Sequence, residues 1–158
     1  MELILPDDSA MQRFGAALAD GLPDLRSHHL LLALQGDLGT GKTTLARGLL
    51  RRLGIDGPIR SPTFTLVEPY ETRAGPVHHL DLYRLRGTPA ELDPLGYREF
   101  RSLPGLVIVE WPERGAAALG AADLRIAIEH QAIGRRLLVE ASTDAGRVWQ
   151  DALSYDRI

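Results

Sequence analysis

Apolar residues fall along this chain in two rhythms. His29 to Gln35, HLLLALQ, is an almost unbroken apolar run, and Leu106 to Glu110, LVIVE, is a second. Such runs, without alternation, predict strands buried on both faces, as in the middle of a parallel sheet. Elsewhere the period lengthens. Asp7, Asp8 and Ser9 offer N-cap oxygens, and Met11, Phe14 and Leu18 then share one face of a helix reaching about Gly21. Leu45, Leu49, Leu50 and Leu53 make the apolar stripe of another helix, which Gly54 stops.

Shorter signals fill in the rest. Met1 to Leu5, Phe64 to Pro69 and Val77 to Leu82 read as strands, with Thr72 to Pro76 as a hairpin-type loop. Thr88 to Phe100 is polar and partly helical. Leu124 to His130 and Arg136 to Ala141 alternate around Gly134 and predict a C-terminal β-hairpin, followed by a closing helix from Ala145 to Leu153. No internal repeat and no interior linker interrupts this order. The expectation is one α/β domain over residues 1–158, with a mixed, mainly parallel central sheet flanked by helices.

Composition narrows the function. A net charge of −3 gives no global basic field for gripping nucleic acid. The absence of cysteine removes disulfides and Cys-based metal sites, in keeping with a cytoplasmic protein. The acidic start, MELILPDDSA, lacks the features of a secretory signal, and no apolar run is long enough to span a bilayer.

Among 18 Lys and Arg residues, Lys42 is the sole lysine. It stands in GDLGTGKTTL, where Gly36-x-x-x-x-Gly41-Lys42-Thr43 satisfies the Walker A pattern between a buried strand and a helix. The chemistry fits each position of the loop Gly36, Asp37, Leu38, Gly39, Thr40, Gly41, Lys42, Thr43 and Thr44. Glycines let backbone N–H groups turn inward around phosphate oxygens, and the helix start adds its positive end. Lys42 supplies a compact ammonium for the β- and γ-phosphates, where a planar guanidinium would not fit. Thr43 offers a hydroxyl to Mg2+, and Thr44 reaches the α-phosphate region. The guanine-reading N-K-x-D motif is impossible here, because the chain has no asparagine and no second lysine, so ATP is favoured.

An acidic residue at the end of a neighbouring strand completes such a site. Glu110 ends LVIVE and is the first candidate for Mg2+ and for the attacking water. Asp81, in HHLDLYRL, is the second; a metal or a neighbouring Arg84 would compensate its charge. Ser61, Thr63 and Thr65 in SPTFTL read either as turn and cap hydroxyls or as a switch-like loop sensing the γ-phosphate. Trp111 reads as half-buried beside the site. His78 and His79 read as structural, since a third zinc ligand is lacking.

GDLGTGKTTLARGLL, SPTFTLV, HLDLYRL, ELDPLGYREF and VIVEWPER, in this order, resemble the TsaE family of bacterial P-loop ATPases, from about Leu5 to about Ala141. The resemblance implies an ATPase of tRNA threonylcarbamoyladenosine synthesis that works with the TsaB–TsaD heterodimer and is not itself the transferase. It meets tRNA indirectly. It implies Thr43 and Glu110 as Mg2+ ligands, Asp81 in the same metal and hydrolysis site, and Trp111 with the Ser61–Thr65 loop near the mouth, where the family's partner contacts and ATPase coupling are concentrated. The start of the first helix, Pro6 to Ala10, is a candidate wall for the adenine. Two other readings of the residues remain: a small-molecule kinase with Thr88 to Phe100 as a lid, and a nucleotide-dependent binding switch. Arg51, Arg52, Arg135 and Arg136 are the candidates for any direct tRNA contact.

Overall fold

The computed structural model describes residues 1–86 and 88–153. Seven strands make one sheet: β1 (Glu2–Leu5), β2 (His29–Gln35), β3 (Val67–Thr72), β4 (Gly75–Asp81), β5 (Gly105–Glu110), β6 (Leu124–His130) and β7 (Arg135–Ala141). Their order across the sheet is β1-β7-β6-β2-β5-β4-β3. The helices are α1 (Asp8–Asp20), α2 (Lys42–Arg52), α3 (Tyr97–Ser102), α4 (Ala116–Leu119) and α5 (Asp144–Asp151).

The sheet is evenly mixed, which corrects the expectation of a mainly parallel one. The pairs β6–β2, β2–β5 and β5–β4 are parallel, whereas β1–β7, β6–β7 and β3–β4 are antiparallel. The cause is local. Two hairpins place β3 and β7 antiparallel to the strands they follow or precede, and β1 then adds to the outer edge of β7.

Both apolar runs lie at the centre. On β2, Leu30, Leu32 and Leu34 face one side and pack with Phe14, Leu18, Leu45, Leu49, Leu50 and Trp149 of α1, α2 and α5. Leu31 faces the other side, with Val107, Val109, Leu80 and Leu82 under Leu92, Tyr97 and Leu119. Two-sided burial explains why these strands show no alternation. The start of α1 is capped as the sequence indicates: Asp7 accepts from the Ala10 N–H at 2.7 Å. The start of β3 differs from the sequence reading. Phe64 to Leu66 form a turn closed by Leu66 N–H on the Pro62 carbonyl, with Leu66 at φ 65°, so β3 starts at Val67 rather than at Phe64.

The parallel strands β2, β4 and β5 end together, at Gln35, Asp81 and Glu110. In open α/β sheets, ligands bind at this carboxyl edge. Among the described residues no helix is long and apolar enough to cross a membrane.

Candidate functional site

The glycine loop leaves β2 at the carboxyl edge and delivers the chain into α2. Gly36 sits at φ 150°, and a Cβ there would lie 2.4 Å from the Ile128 carbonyl oxygen and 2.8 Å from Thr40 Oγ1. Gly41, at φ 107°, is the residue on which the loop turns into the helix. Neither position admits a side chain without strain.

Lys42 is 4 % exposed. Its Nζ donates to the Gly36 carbonyl at 2.6 Å and the Asp37 carbonyl at 2.9 Å, and it lies 4.1 Å from the centre of the Trp111 ring. Burial holds its ammonium below the ordinary lysine value; Glu110, Glu113, Asp81 and Asp37 oppose that shift. Trp111 reaches this position through a left-handed backbone, φ 59° and ψ 50°, just before Pro112. For a non-glycine residue that conformation costs about 1–2 kcal/mol.

Two buried carboxylates face each other across β4 and β5, where Asp81 and Glu110 are register partners. Glu110 accepts from Thr43 Oγ1 at 2.9 and 3.0 Å and contacts His79 Nε2 at 2.9 Å. Asp81 accepts from Ser61 Oγ, from Thr63 Oγ1 at 2.9 Å and from the Tyr83 N–H at 2.9 Å. These hydroxyls and the amide compensate the buried charge in place of Arg84, whose guanidinium stacks on exposed Phe64 at 4.2 Å.

One cavity of about 290 Å³ joins these groups. Leu38, Gly39, Gly41, Lys42, Thr43 and Thr44 of the loop line it, together with Ser61, Thr63, Asp81, Glu110 and Trp111. Gly36 and Asp37 stand behind it and hold Lys42 through their carbonyls. Thr40 is buried and donates to the Asp37 carbonyl at 2.9 Å. Thr65 lies outside: it lines a neighbouring hollow with Arg60, Phe64 and Tyr70. Ser61 and Thr63 thus line the cavity, and Thr65 does not.

The structure adds three wall residues, Asp8, Tyr83 and Arg135. Asp8 belongs to the segment Pro6 to Ala10. Arg135 donates through Nε to the Thr40 carbonyl at 3.1 Å. His79, buried on β4, contacts Glu110 Oε1 through Nε2 at 2.9 Å, whereas His78 stacks on Phe100 at 3.9 Å. Only the spacing of His79 and Asp81 on one strand face hinted at this. Among the described residues no three His, Asp or Glu side chains gather as a metal cage.

The family model described as "Threonylcarbamoyl adenosine biosynthesis protein TsaE" matches residues 5–138. The chain is 38 % identical over 144 residues to the tRNA threonylcarbamoyladenosine biosynthesis protein TsaE of Haemophilus influenzae, covering 90 % of each chain. It is 48 % identical over 116 residues to the protein of the same description from Synechocystis, covering 72 % of this chain and 71 % of that one. Among solved structures it is similar to Bacillus subtilis YdiB, with a TM-score of 0.78 and 25 % identity over 99 % of this chain and 95 % of that one.

Proposed function

The chain belongs to the TsaE family of tRNA threonylcarbamoyladenosine biosynthesis, and we propose that its part there is Mg2+-dependent ATP hydrolysis at a P-loop formed by Gly36 to Thr44. The observation that carries this reading is the convergence of Lys42, Thr43 and Glu110 in one cavity at the carboxyl edge of the sheet. A buried lysine and a hydroxyl at the start of α2, with a buried carboxylate at the end of β5, are parts that phosphoryl transfer to water uses.

Their chemistry suits Mg2+. The donors facing the cavity are carboxylate and hydroxyl oxygens, which are hard ligands, and Mg2+ in nucleotide sites takes few protein ligands beside phosphates and water. Thr43 and Glu110 would hold the ion, with Asp81 in the same site. The bound ion would neutralise charge developing on the β- and γ-phosphates.

The chain's own residues supply the rest. Loop N–H groups and the start of α2 cradle the phosphates. Lys42 needs only to swing its Nζ from the Gly36 and Asp37 carbonyls to meet a phosphate. Trp111 shields that ammonium from water. Glu110, directly or through a water, orients the water that attacks the γ-phosphorus as the bond to the β,γ-bridging oxygen breaks. Ser61 and Thr63 are placed to couple the loop above the cavity to Asp81.

Hydrolysis in this reading supports repeated threonylcarbamoyl transfer by the TsaB–TsaD pair to the adenosine beside the anticodon of tRNAs reading A-starting codons, in the cytoplasm. It is slow in the isolated protein and completed by docking. The test is ATP turnover by the purified protein, alone and with the TsaB–TsaD pair, beside Glu110→Ala. Stimulation by the pair that the variant loses by roughly a hundredfold or more is the expected result. Turnover alone as fast as in the complex would refute the docking step. Transfer of the γ-phosphate to a metabolite instead of water would make the protein a kinase.

A further inference from the structure

We propose that His79 is the positioning residue of Glu110: it fixes one carboxylate oxygen, Oε1, and so presents the other, Oε2, to the cation and the attacking water. The inference rests on the reading of Glu110 as the cation-binding carboxylate.

Glu110 ends β5 with its side chain 3 % exposed. Three torsions separate its carboxylate from the backbone, so something must choose its orientation. Among the described residues its side chain is held by two groups. Thr43 Oγ1 stands almost equidistant from both oxygens, 2.9 Å from Oε1 and 3.0 Å from Oε2. A hydroxyl has one hydrogen, so at these distances Thr43 does not distinguish the two. His79 does: Nε2 contacts Oε1 alone, at 2.9 Å. An ionised carboxylate only accepts, which assigns the ring hydrogen to Nε2.

The ring is also unable to follow the carboxylate if it turns. His79 is wholly buried on β4, between register partners Glu68 of β3 and Ile108 of β5. Two residues on, the same strand presents Asp81 opposite Glu110. One strand therefore fixes the first carboxylate and delivers the second.

Packing does not account for a histidine here. The other ring nitrogen, Nδ1, is buried and has no hydrogen-bond partner among the described residues. A leucine would fill similar space without an unpartnered polar atom, which costs stability when buried. The ring's one hydrogen bond among the described residues is to Glu110. Holding one oxygen and offering the other gives single-oxygen ligation, which suits the strict octahedral geometry of Mg2+.

The experiment compares the full chain with His79→Leu, His79→Asn and His79→Gln. The glutamine amide reaches the place of Nε2, whereas the asparagine amide is too short. Mn2+ stands in for Mg2+, and its affinity in the ADP complex is read by electron paramagnetic resonance, apart from turnover. Nucleotide affinity without metal, read with a fluorescent ATP analogue, reports that the loop is intact. Leucine and asparagine are expected to weaken Mn2+ about tenfold or more and to lower kcat similarly, as removing a partner of a metal ligand does. Metal-free nucleotide binding is expected to stay within about twofold, and glutamine to restore most of both losses. Wild-type Mn2+ affinity and kcat in either the leucine or the asparagine variant would overturn the proposal. Glutamine failing as badly as asparagine, with nucleotide binding intact, would overturn it too. If the leucine variant does not fold, the glutamine–asparagine difference decides alone. A wild-type chain that binds no Mn2+ with ADP would remove the reading of Glu110 and this inference together, whereas failure confined to the variants' comparison touches only His79.

Discussion

At the scale of the residue, the sole lysine explains itself by its surroundings. Lys42 is enclosed by two carbonyls and the Trp111 ring, a space that takes a compact ammonium and not a fork of donors. The same enclosure disfavours its charge. Its folded pKa lies below the ordinary 10.5, so the unfolded chain binds this proton more tightly than the folded one. The resulting penalty is fully present below the folded value. It disappears as pH rises through the window ending at 10.5. Wild type should therefore gain stability relative to Lys42→Met between neutral pH and about pH 10, measured as the difference in urea unfolding free energy. A difference that stays flat or falls over that range would contradict the account. Lys42, Thr43 and Glu110 were legible in the sequence, because a glycine loop after an apolar strand and a carboxylate ending another each carry local signals. His79 and Arg135 were not. Their partners, Glu110 and Thr40, are 31 and 95 residues away, and nothing local distinguishes a buried histidine that orients a carboxylate from one that only packs.

At the scale of the element, α1 and α2 matter most, since α2 begins with Lys42 and Thr43. The two helices touch through glycines. A Cβ on Gly15 would lie 2.2 Å from the Leu45 carbonyl oxygen, and one on Gly48 would lie 2.2 Å from that of Gln12. In an exposed helix, alanine in place of glycine stabilises by about 1 kcal/mol. Here the clash is with backbone, and Gly48→Ala should destabilise the fold by about 1–3 kcal/mol, read by urea or thermal unfolding. Because the helix must shift to relieve it, nucleotide affinity should fall as well. A variant more stable than wild type would show the crossing to be looser than described. Elements with strong local signals were legible in the sequence: the periodic α1, α2 and β6–β7 hairpin, and the unbroken apolar run of β2. Phe64 to Leu66 were not, since the Pro62–Leu66 turn overrides the strand propensity of the run. Strand order and the even balance of parallel and antiparallel pairs were hidden too, because both depend on which edges meet in three dimensions. The placement of the Gly36–Thr44 loop at the carboxyl edge follows from that order.

At the scale of the whole molecule, the question is how a protein of threonylcarbamoyladenosine synthesis meets tRNA. A chain of net charge −3 would need a local basic patch to hold it. The four arginines that the sequence singles out for a direct tRNA contact are otherwise engaged. Arg136 bridges Glu2 and Glu129, at 2.8 and 3.0 Å. Arg52 pairs with Asp20 at 2.6 Å. Arg51 donates to the Ile55 carbonyl at 2.7 Å, and Arg135 turns inward to Thr40. On the outer face of the sheet, Arg125 likewise meets Glu140 and Gln35. The ion pairs of Arg52, Arg125 and Arg136 lie at the surface, and each contributes little stability on its own. The carboxylates paired with Arg52, Arg125 and Arg136 offset their charge locally and would have to give way before those arginines could meet a phosphate backbone. The isolated protein should therefore leave the fluorescence anisotropy of labelled tRNA unchanged at about 0.15 M salt and up to about 50 μM protein, a range in which basic proteins bind nucleic acid non-specifically. The same tRNA should be bound once the TsaB–TsaD pair is present. Salt-dependent binding by the isolated protein at low micromolar concentration would mean that these arginines exchange their carboxylates for phosphates, and that the chain grips tRNA itself.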